Sequence, residues 1–332
     1  MARIAVLIPC FNEAISIGQV VRDFHRELPR AEIYVFDNGS TDDTRVQAAR
    51  AGAVVISEPR RGKGHVVQAM IRQIDADIYV LVDGDDTYPA AQVHALLEPI
   101  LRGDADMVVG SRLQAAGSDF RPLNRLGNHL FVRLLNFIFG AALTDVFSGF
   151  RALSRSAIKG LPLFVTGFEI EAELTIKALE RGYRIHEAPT RLTARSAGSH
   201  SKLKRVRDGL RILGTILLLA RDYKPFTFFG TAGAGLVLAG LLPGLGVVAE
   251  FARTGLVPRL PTALLAVGLV VSGLLSATAG LVLHALNRRF QELDYLIRTQ
   301  LDVPRETRAP FRSRVSPSGR ISLAHGARRM KE

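Results

Sequence analysis

Apolar residues fall into two different rhythms along this chain. Through about residue 200 they come in short β-branched runs at 3–8, 32–36, 53–56, 78–82 and 106–109. Between these lie stretches at 15–28, 42–51, 63–73 and 90–101 whose apolar positions recur at helical spacing. Strands alternating with helices predict a mostly parallel sheet covered by helices on both faces, occupying residues 1–205. Beyond it the rhythm becomes continuous: 226–249 and 260–283 are each 24 residues without a charge. At about 1.5 Å per residue, either run reaches roughly 36 Å, enough to cross a hydrocarbon core. Two buried core helices would be the alternative, and would need uncharged stretches far longer than globular helices show.

Pro258 lies in the short connector 250–259, so the two spans (226–249 and 260–286 within a 225–287 region) are expected to form a hairpin. Arg221, Lys224, Arg288 and Arg289 flank it, and Lys202, Lys204, Arg205, Arg207 and Arg211 lie further out, against only Arg253 and Arg259 in the connector. That asymmetry predicts a multi-pass protein of the cytoplasmic (inner) membrane, with both termini and the N-terminal domain on the cytoplasmic side. The segment 206–224 is apolar around Leu210 to Ala220 and bracketed by basic residues. It reads as an amphipathic helix in the membrane surface, with a buried domain helix as the alternative. Gly240 and Gly244 have small-xxx-small spacing, which permits a homo-oligomer through the membrane helices.

Residues 288–332 form a basic tail, expected to be disordered after 304 and to lie against anionic lipid. From Arg305 onward it holds eight basic and two acidic residues, half of the chain's +12 excess. A nucleic-acid arm is disfavoured because aromatics are not interleaved with the charges. The lone Cys10 fits a reducing compartment, and Pro9, Asn12 and Glu13 cut the 4–8 run too short for a signal peptide.

In open parallel sheets ligands bind beyond the carboxyl ends of the strands. Three such ends carry carboxylates: Glu13 after the first strand, Asp37 after the second, and Asp83-Gly84-Asp85-Asp86 after the fourth. Clustered acids are costly without a cation or a donor-rich ligand. Asp83 and Asp85, two apart around a glycine, suit Mg²⁺ or Mn²⁺, whereas zinc would require Cys or His nearby. The Asn38-Gly39-Ser40-Thr41-Asp42 run reads as a turn entering a helix N-terminus. Arg61-Gly62-Lys63-Gly64 has the look of a phosphate loop, but Walker spacing fails at Ser57 and His65, and no Gly-x-Gly-x-x-Gly follows the first strand. Glu169 and Glu173, four apart on a helix starting near Gly167, are expected to face water, with a catalytic role as the alternative and Glu171 on another face. His65, His129 and His200 show no ligand spacing.

The ordered set Ile8-Pro9-Cys10-Phe11-Asn12-Glu13, Asp37-Asn38-Gly39-Ser40-Thr41-Asp42, Arg61-Gly62-Lys63-Gly64, Asp83-Gly84-Asp85, Gly110-Ser111-Arg112, Asp145 to Arg151 and Gly198 to Lys202 resembles the family-2 inverting glycosyltransferases of GT-A, Rossmann-like fold. Within them it is similar to the polyprenyl-phosphate branch that includes dolichol-phosphate mannose synthase. Two C-terminal spans also occur in several members of that branch.

The resemblance implies that Pro9, Asn12, Glu13, Asp37, Asn38, Ser40, Lys63 and Asp83 hold a nucleotide sugar, a UDP- or GDP-linked hexose. It implies that Asp85, with Asp83, holds Mg²⁺ or Mn²⁺, and that Arg112, Arg133, Ser148, Arg195 and Lys202 gather a polyprenyl phosphate and the leaving diphosphate. Arg125 competes with Arg133, and Asn38 stands where the family often has Asp. Asp83, Asp85, Arg112 and Asp145 are the expected catalytic residues. Asp145 either positions a substrate or serves structurally before the Ser148 turn.

The expected chemistry is direct displacement. A phosphate monoester is largely dianionic at neutral pH and can attack the sugar C1 without a strong base, giving a β-linked lipid-phosphate sugar for the cell envelope. Processive synthases of the same family resemble one another in a Gln-x-x-Arg-Trp motif, which a chain without Trp cannot carry. A membrane-bound sensor that binds nucleotide sugars without turnover, or a family-2 transferase with a different acceptor, remains the alternative.

Overall fold

The computed structural model describes residues 2–112, 122–193 and 205–301. Seven strands form one sheet in the order β3-β2-β1-β4-β6-β5-β7: β1 Ile4–Cys10, β2 Glu32–Asp37, β3 Val54–Ser57, β4 Ile78–Leu81, β5 Met107–Ser111, β6 Arg151–Ser154 and β7 Ile185–Pro189. All neighbours are parallel except β6, which runs antiparallel to both β4 and β5. The alternating geometry of a strand sends Val6 and Ile8 to one face and Ala5 and Leu7 to the other, and both faces are covered.

On the first face, Val6, Ile8, Val35 and Val80 pack with Phe24 of α1 (Ile17–Glu27) and Leu96 of α4 (Val93–Leu101). On the second, Ala5, Leu7, Phe36 and Leu81 meet Val66 and Met70 of α3 (Lys63–Gln73) and Leu174 of α7 (Ile170–Glu180). Helices α2 (Thr44–Arg50) and α6 (Arg155–Gly160) complete the connections near the sheet. Strands β6 and β7 were not among the runs read from the sequence. Their segments, Arg-Ala-Leu-Ser and Ile-His-Glu-Ala-Pro, are short and half polar, so the apolar rhythm does not mark them.

A third cluster joins α5 (Pro122–Phe139), α7 and α8 (Arg205–Tyr223), with Leu135, Ile176, Ile216 and Leu219 at its centre. The segment expected to lie in the membrane surface is therefore seated on the domain along one face, while Leu217 (39% exposed) and Leu218 (52%) look outward from the other. A single residue, Lys224, separates α8 from α9 (Pro225–Thr254), and α10 runs from Leu260 to Leu301. Both have stretches long and apolar enough to cross a membrane, Pro225–Thr254 and Leu260–Leu293.

The two helices meet along glycines. A Cβ on Gly233 would fall 2.5 Å from the Gly273 carbonyl, and one on Gly240 would fall 2.7 Å from that of Ala266. Gly240 is thus spent inside the hairpin rather than offered to a second copy. The Ser276 hydroxyl donates across the seam to the Phe229 carbonyl at 3.0 Å. Helix α10 continues past Arg288 and Arg289 into the region read as tail. The segment after 304, with its expected disorder and lipid contact, lies outside the described residues.

Candidate active site

The carboxyl ends of β1, β2, β4 and β5 lie together, and the reversed β6 adds a fifth segment to them. Because Arg151 pairs with Leu81 and Val109, the residues that enter β6, 145–150, arrive at the same end.

At the β1–β2 side the polar groups interlock. Asn12 adopts a left-handed φ of 53°; its amide donates to Ser40 Oγ at 2.9 Å and its Oδ1 accepts from the Thr41 amide at 2.8 Å. The Glu13 amide donates to Thr44 Oγ1 at 2.8 Å. Asp37 is fully buried, accepts from the Ser40 amide at 3.2 Å, and has Arg45 Nε at 3.7 Å. Asn38 donates to the carbonyls of Glu58 and Arg60 at 3.0 and 2.7 Å and accepts from the Gly62 amide at 2.7 Å. An Asp at this position would forfeit both donated bonds, so the Asn is explained by the loop it ties down. The Arg61 guanidinium lies over the Phe11 ring, 4.4 Å from its centroid.

The glycines of Arg61-Gly62-Lys63-Gly64 answer a packing demand. Cβ atoms on Gly62 and Gly64 would stand 2.2 and 2.1 Å from the carbonyls of Thr166 and Val165, so the loop is pressed against 165–166. That contact delivers Lys63 to the site. Its ammonium lies 2.6 Å from Asp83 Oδ1 and 2.5 Å from Glu171 Oε1. Burial alone would lower its pKa, but the two carboxylates more than reverse this and hold Lys63 charged, above the usual lysine range. Pro9, Lys63, Asp83, Gly149, Arg151 and Glu171 line a common small cavity.

Gly84 is demanded by Cys10, whose Sγ would lie 2.6 Å from an added Cβ. Asp85 is 8% exposed and accepts from Thr87 Oγ1 at 2.6 Å. Among the described residues no group of three or more His, Cys, Asp or Glu side chains gathers to hold a metal by itself. One or two carboxylates completed by substrate phosphates is the usual magnesium arrangement, so the donor chemistry of Asp83 and Asp85 is compatible with an ion that arrives with a diphosphate.

On the β5–β6 side, Arg112 forms a two-pronged pair with Asp145, Nε to Oδ2 at 2.6 Å and Nη2 to Oδ1 at 2.9 Å, and its own amide adds a third bond. Burial opposes ionisation of Asp145, yet Arg112 outweighs it and keeps the carboxyl below its ordinary range. Glu187 of β7 accepts from the Thr144 and Asp145 amides at 2.9 and 2.8 Å and so holds that turn. Ser148 is fully buried, its hydroxyl 3.4 Å from that of Tyr88. Arg133 is exposed on α5 and Arg125 falls in the first turn of that helix; Arg195 and Lys202 lie outside the described residues.

One expectation about α7 needs correction. Glu173 does not face water: it is 1% exposed, pairs with Lys177 at 2.7 Å and accepts from the Phe164 and Val165 amides at 3.1 and 3.0 Å. Glu171 is buried against Lys63. Every residue from Ile170 to Ala178 is buried, so the charged positions of α7 lie in the interior instead of forming a solvated stripe. Sequence reasoning also passed over Tyr88, Glu187 and the role of Arg151. That arginine, 1% exposed, donates to the carbonyls of Ser148 and Val146 and to Thr175 Oγ1.

The sequence pattern of the family described as "Glycosyl transferase family 2" matches residues 5–161. A Haloferax volcanii protein named "Glycosyltransferase AglJ" is 35% identical over 254 residues, covering 75% of this chain and 82% of that protein. A "Dolichyl-phosphate hexose transferase" of the same organism is 36% identical over 187 residues, covering 56% and 81%. Among solved structures, glucosyl-3-phosphoglycerate synthase of Mycobacterium tuberculosis, in complex with Mn²⁺, UDP and glucosyl-3-phosphoglycerate, is 26% identical with a TM-score of 0.55, over 66% of this chain and 80% of that one. The chain belongs to glycosyl transferase family 2 and has the GT-A fold. It is a glycosyltransferase.

Proposed function

We propose that this enzyme moves a hexose from a UDP- or GDP-linked donor to a polyprenyl phosphate at the cytoplasmic face of a membrane, inverting the anomeric centre. The observation that carries the reading is the Lys63–Asp83 ion pair at the end of β4, two residues before the buried Asp85, on a domain joined through Lys224 alone to two helices long and apolar enough to cross a bilayer. The name of the hexose-transferase relative and the basic flanks of the hairpin support it. So do the exposed apolar side chains of α5, Leu130 and Phe137, and of α8, Leu217 and Leu218, the latter on the helix that leads into α9.

In this reading, Pro9, Asp37 and Asp83 border the nucleotide, and Lys63 lies where the diphosphate charge is carried. Asp85, with Asp83, would hold Mg²⁺ or Mn²⁺, and that ion supplies charge neutralisation for the departing nucleoside diphosphate. Arg112, oriented by Asp145, faces the acceptor side with Arg133. The acceptor phosphate is already largely dianionic, so these cations lower its repulsion from the donor rather than remove a proton.

The test is transfer of radiolabelled hexose from UDP- and GDP-sugars into organic-extractable undecaprenyl phosphate by the purified full chain. Asp85→Ala should abolish transfer while leaving thermal unfolding within a few degrees of the parent. Transfer only to a water-soluble phosphorylated acceptor, the kind named for the mycobacterial enzyme, would refute the lipid acceptor. Full activity of Asp85→Ala would refute the metal assignment.

A further inference from the structure

Glu171 takes no part in the reading above, yet it is the second partner of the lysine at the centre of the site. It lies in the first turn of α7, 6% exposed, with Oε1 2.5 Å from Lys63 Nζ. Three separate elements converge on that ammonium: the start of α3 carries the lysine, the loop after β4 brings Asp83 and α7 brings Glu171. Gly149 packs against Asp83 so closely that a Cβ there would stand 2.3 Å from Oδ2. Charges balance locally, Lys63 and Arg151 against Asp83 and Glu171. The two halves are linked through Thr175, which accepts from Arg151 at 2.8 Å and donates to the Glu171 carbonyl at 2.9 Å.

We propose that Glu171 is a positioning residue for the donor: by sharing Lys63 with Asp83 it fixes the ammonium at the cleft floor, where a nucleoside diphosphate meets it. A lysine with one partner would follow that carboxylate's motion. One held from α7 as well keeps its place, and it keeps the Asp83 carboxylate turned toward the cleft. The inference rests on the reading of this cleft as the donor site.

Its sign separates it from a simple charge effect. Removing a negative charge near an anion site would, by Coulomb attraction alone, tighten the anion. Loss of positioning weakens it instead. Calorimetric titration of the full chain in detergent with UDP and with GDP, in excess Mg²⁺, should therefore show at least fivefold weaker binding for Glu171→Gln. In the transfer assay the KM for undecaprenyl phosphate should stay within twofold of the parent. Glu171→Asp keeps the charge but shortens the reach, and should weaken the nucleotide as well; it decides the matter if the Gln variant does not fold. Unchanged or tighter nucleotide binding by either folded variant overturns the proposal. If the parent chain binds neither nucleotide, the donor-site reading itself falls, and this inference with it.

Discussion

Gly149→Ala is the sharpest probe of how this site is held. An alanine Cβ would stand 2.3 Å from Asp83 Oδ2, 2.8 Å from its Cγ and 2.9 Å from Oδ1, where ordinary contact begins near 3.4 Å. The carboxylate must then retreat by about 1.1 Å. A long side chain would swing aside, but Asp83 is short and its Oδ1 is fixed at 2.6 Å from Lys63. Overpacking of this kind costs roughly 1–3 kcal/mol of stability. A displacement of about 1 Å at reacting groups costs on the order of 100-fold in rate, near 2.7 kcal/mol. The hydrogen bond that the Gly149 backbone N–H donates to the Tyr88 hydroxyl, 3.1 Å, survives the substitution, and the backbone φ is not left-handed, so the effect should concentrate on Asp83. The assay pairs hexose transfer with thermal unfolding. We expect kcat to fall about 100-fold with a loss of a few degrees in Tm, while Gly214→Ala, which meets nothing within 4 Å, leaves both unchanged or slightly raises Tm. Parent-level kcat in a folded Gly149→Ala protein would refute the reasoning.

Asp145→Asn should cost roughly 3–5 kcal/mol in urea unfolding, because it leaves the Arg112 guanidinium, 16% exposed, without its buried counter-charge; a loss below 1 kcal/mol would show that Arg112 finds another partner. Glu58, hydrogen-bonded to Arg60 through three donors, has its carboxyl held down from 4.5 to about 2. The folded value lies below the unfolded one, so this contribution is complete above about pH 4.5 and disappears as pH falls toward 2. The full shift converts to roughly 3 kcal/mol, but Arg60 is 47% exposed and solvent screening leaves on the order of 1 kcal/mol. Glu58→Gln should flatten that part of the stability–pH curve, and an unaltered curve would contradict it. In the hairpin, Gly233→Val should force the helices apart and raise protease sensitivity in detergent, whereas Gly235→Val, with open space around it, should not.

The sheet and the spans were legible because they rest on periodicity: the buried β1 run and the uncharged stretch after Phe226 need no tertiary information. The strand-end carboxylates were legible because a parallel sheet dictates where chain ends meet. What escaped is long-range pairing. β6 carries Arg151, a residue that in a sequence argues for solvent, and only its bonds to the Ser148 and Val146 carbonyls and to Thr175 make its burial tolerable. Glu171 and Glu173 escaped for the same reason, since a helix wrapped on all sides gives its acids no amphipathic signature. The glycines flanking Lys63 suggested a phosphate cradle, and the contact that requires them comes from a loop about 100 residues away.

The one-residue joint between α8 and α9 limits what the enzyme can reach. Helix α8 is wedged into the domain by Ile216, Leu219 and Ala220, so Lys224 gives too short a leash for the catalytic lobe to swing. On the proposed reading, a lipid acceptor would meet the cleft at one fixed depth, and a tilt of α9 would pass through α8 to α7, the helix that carries Glu171.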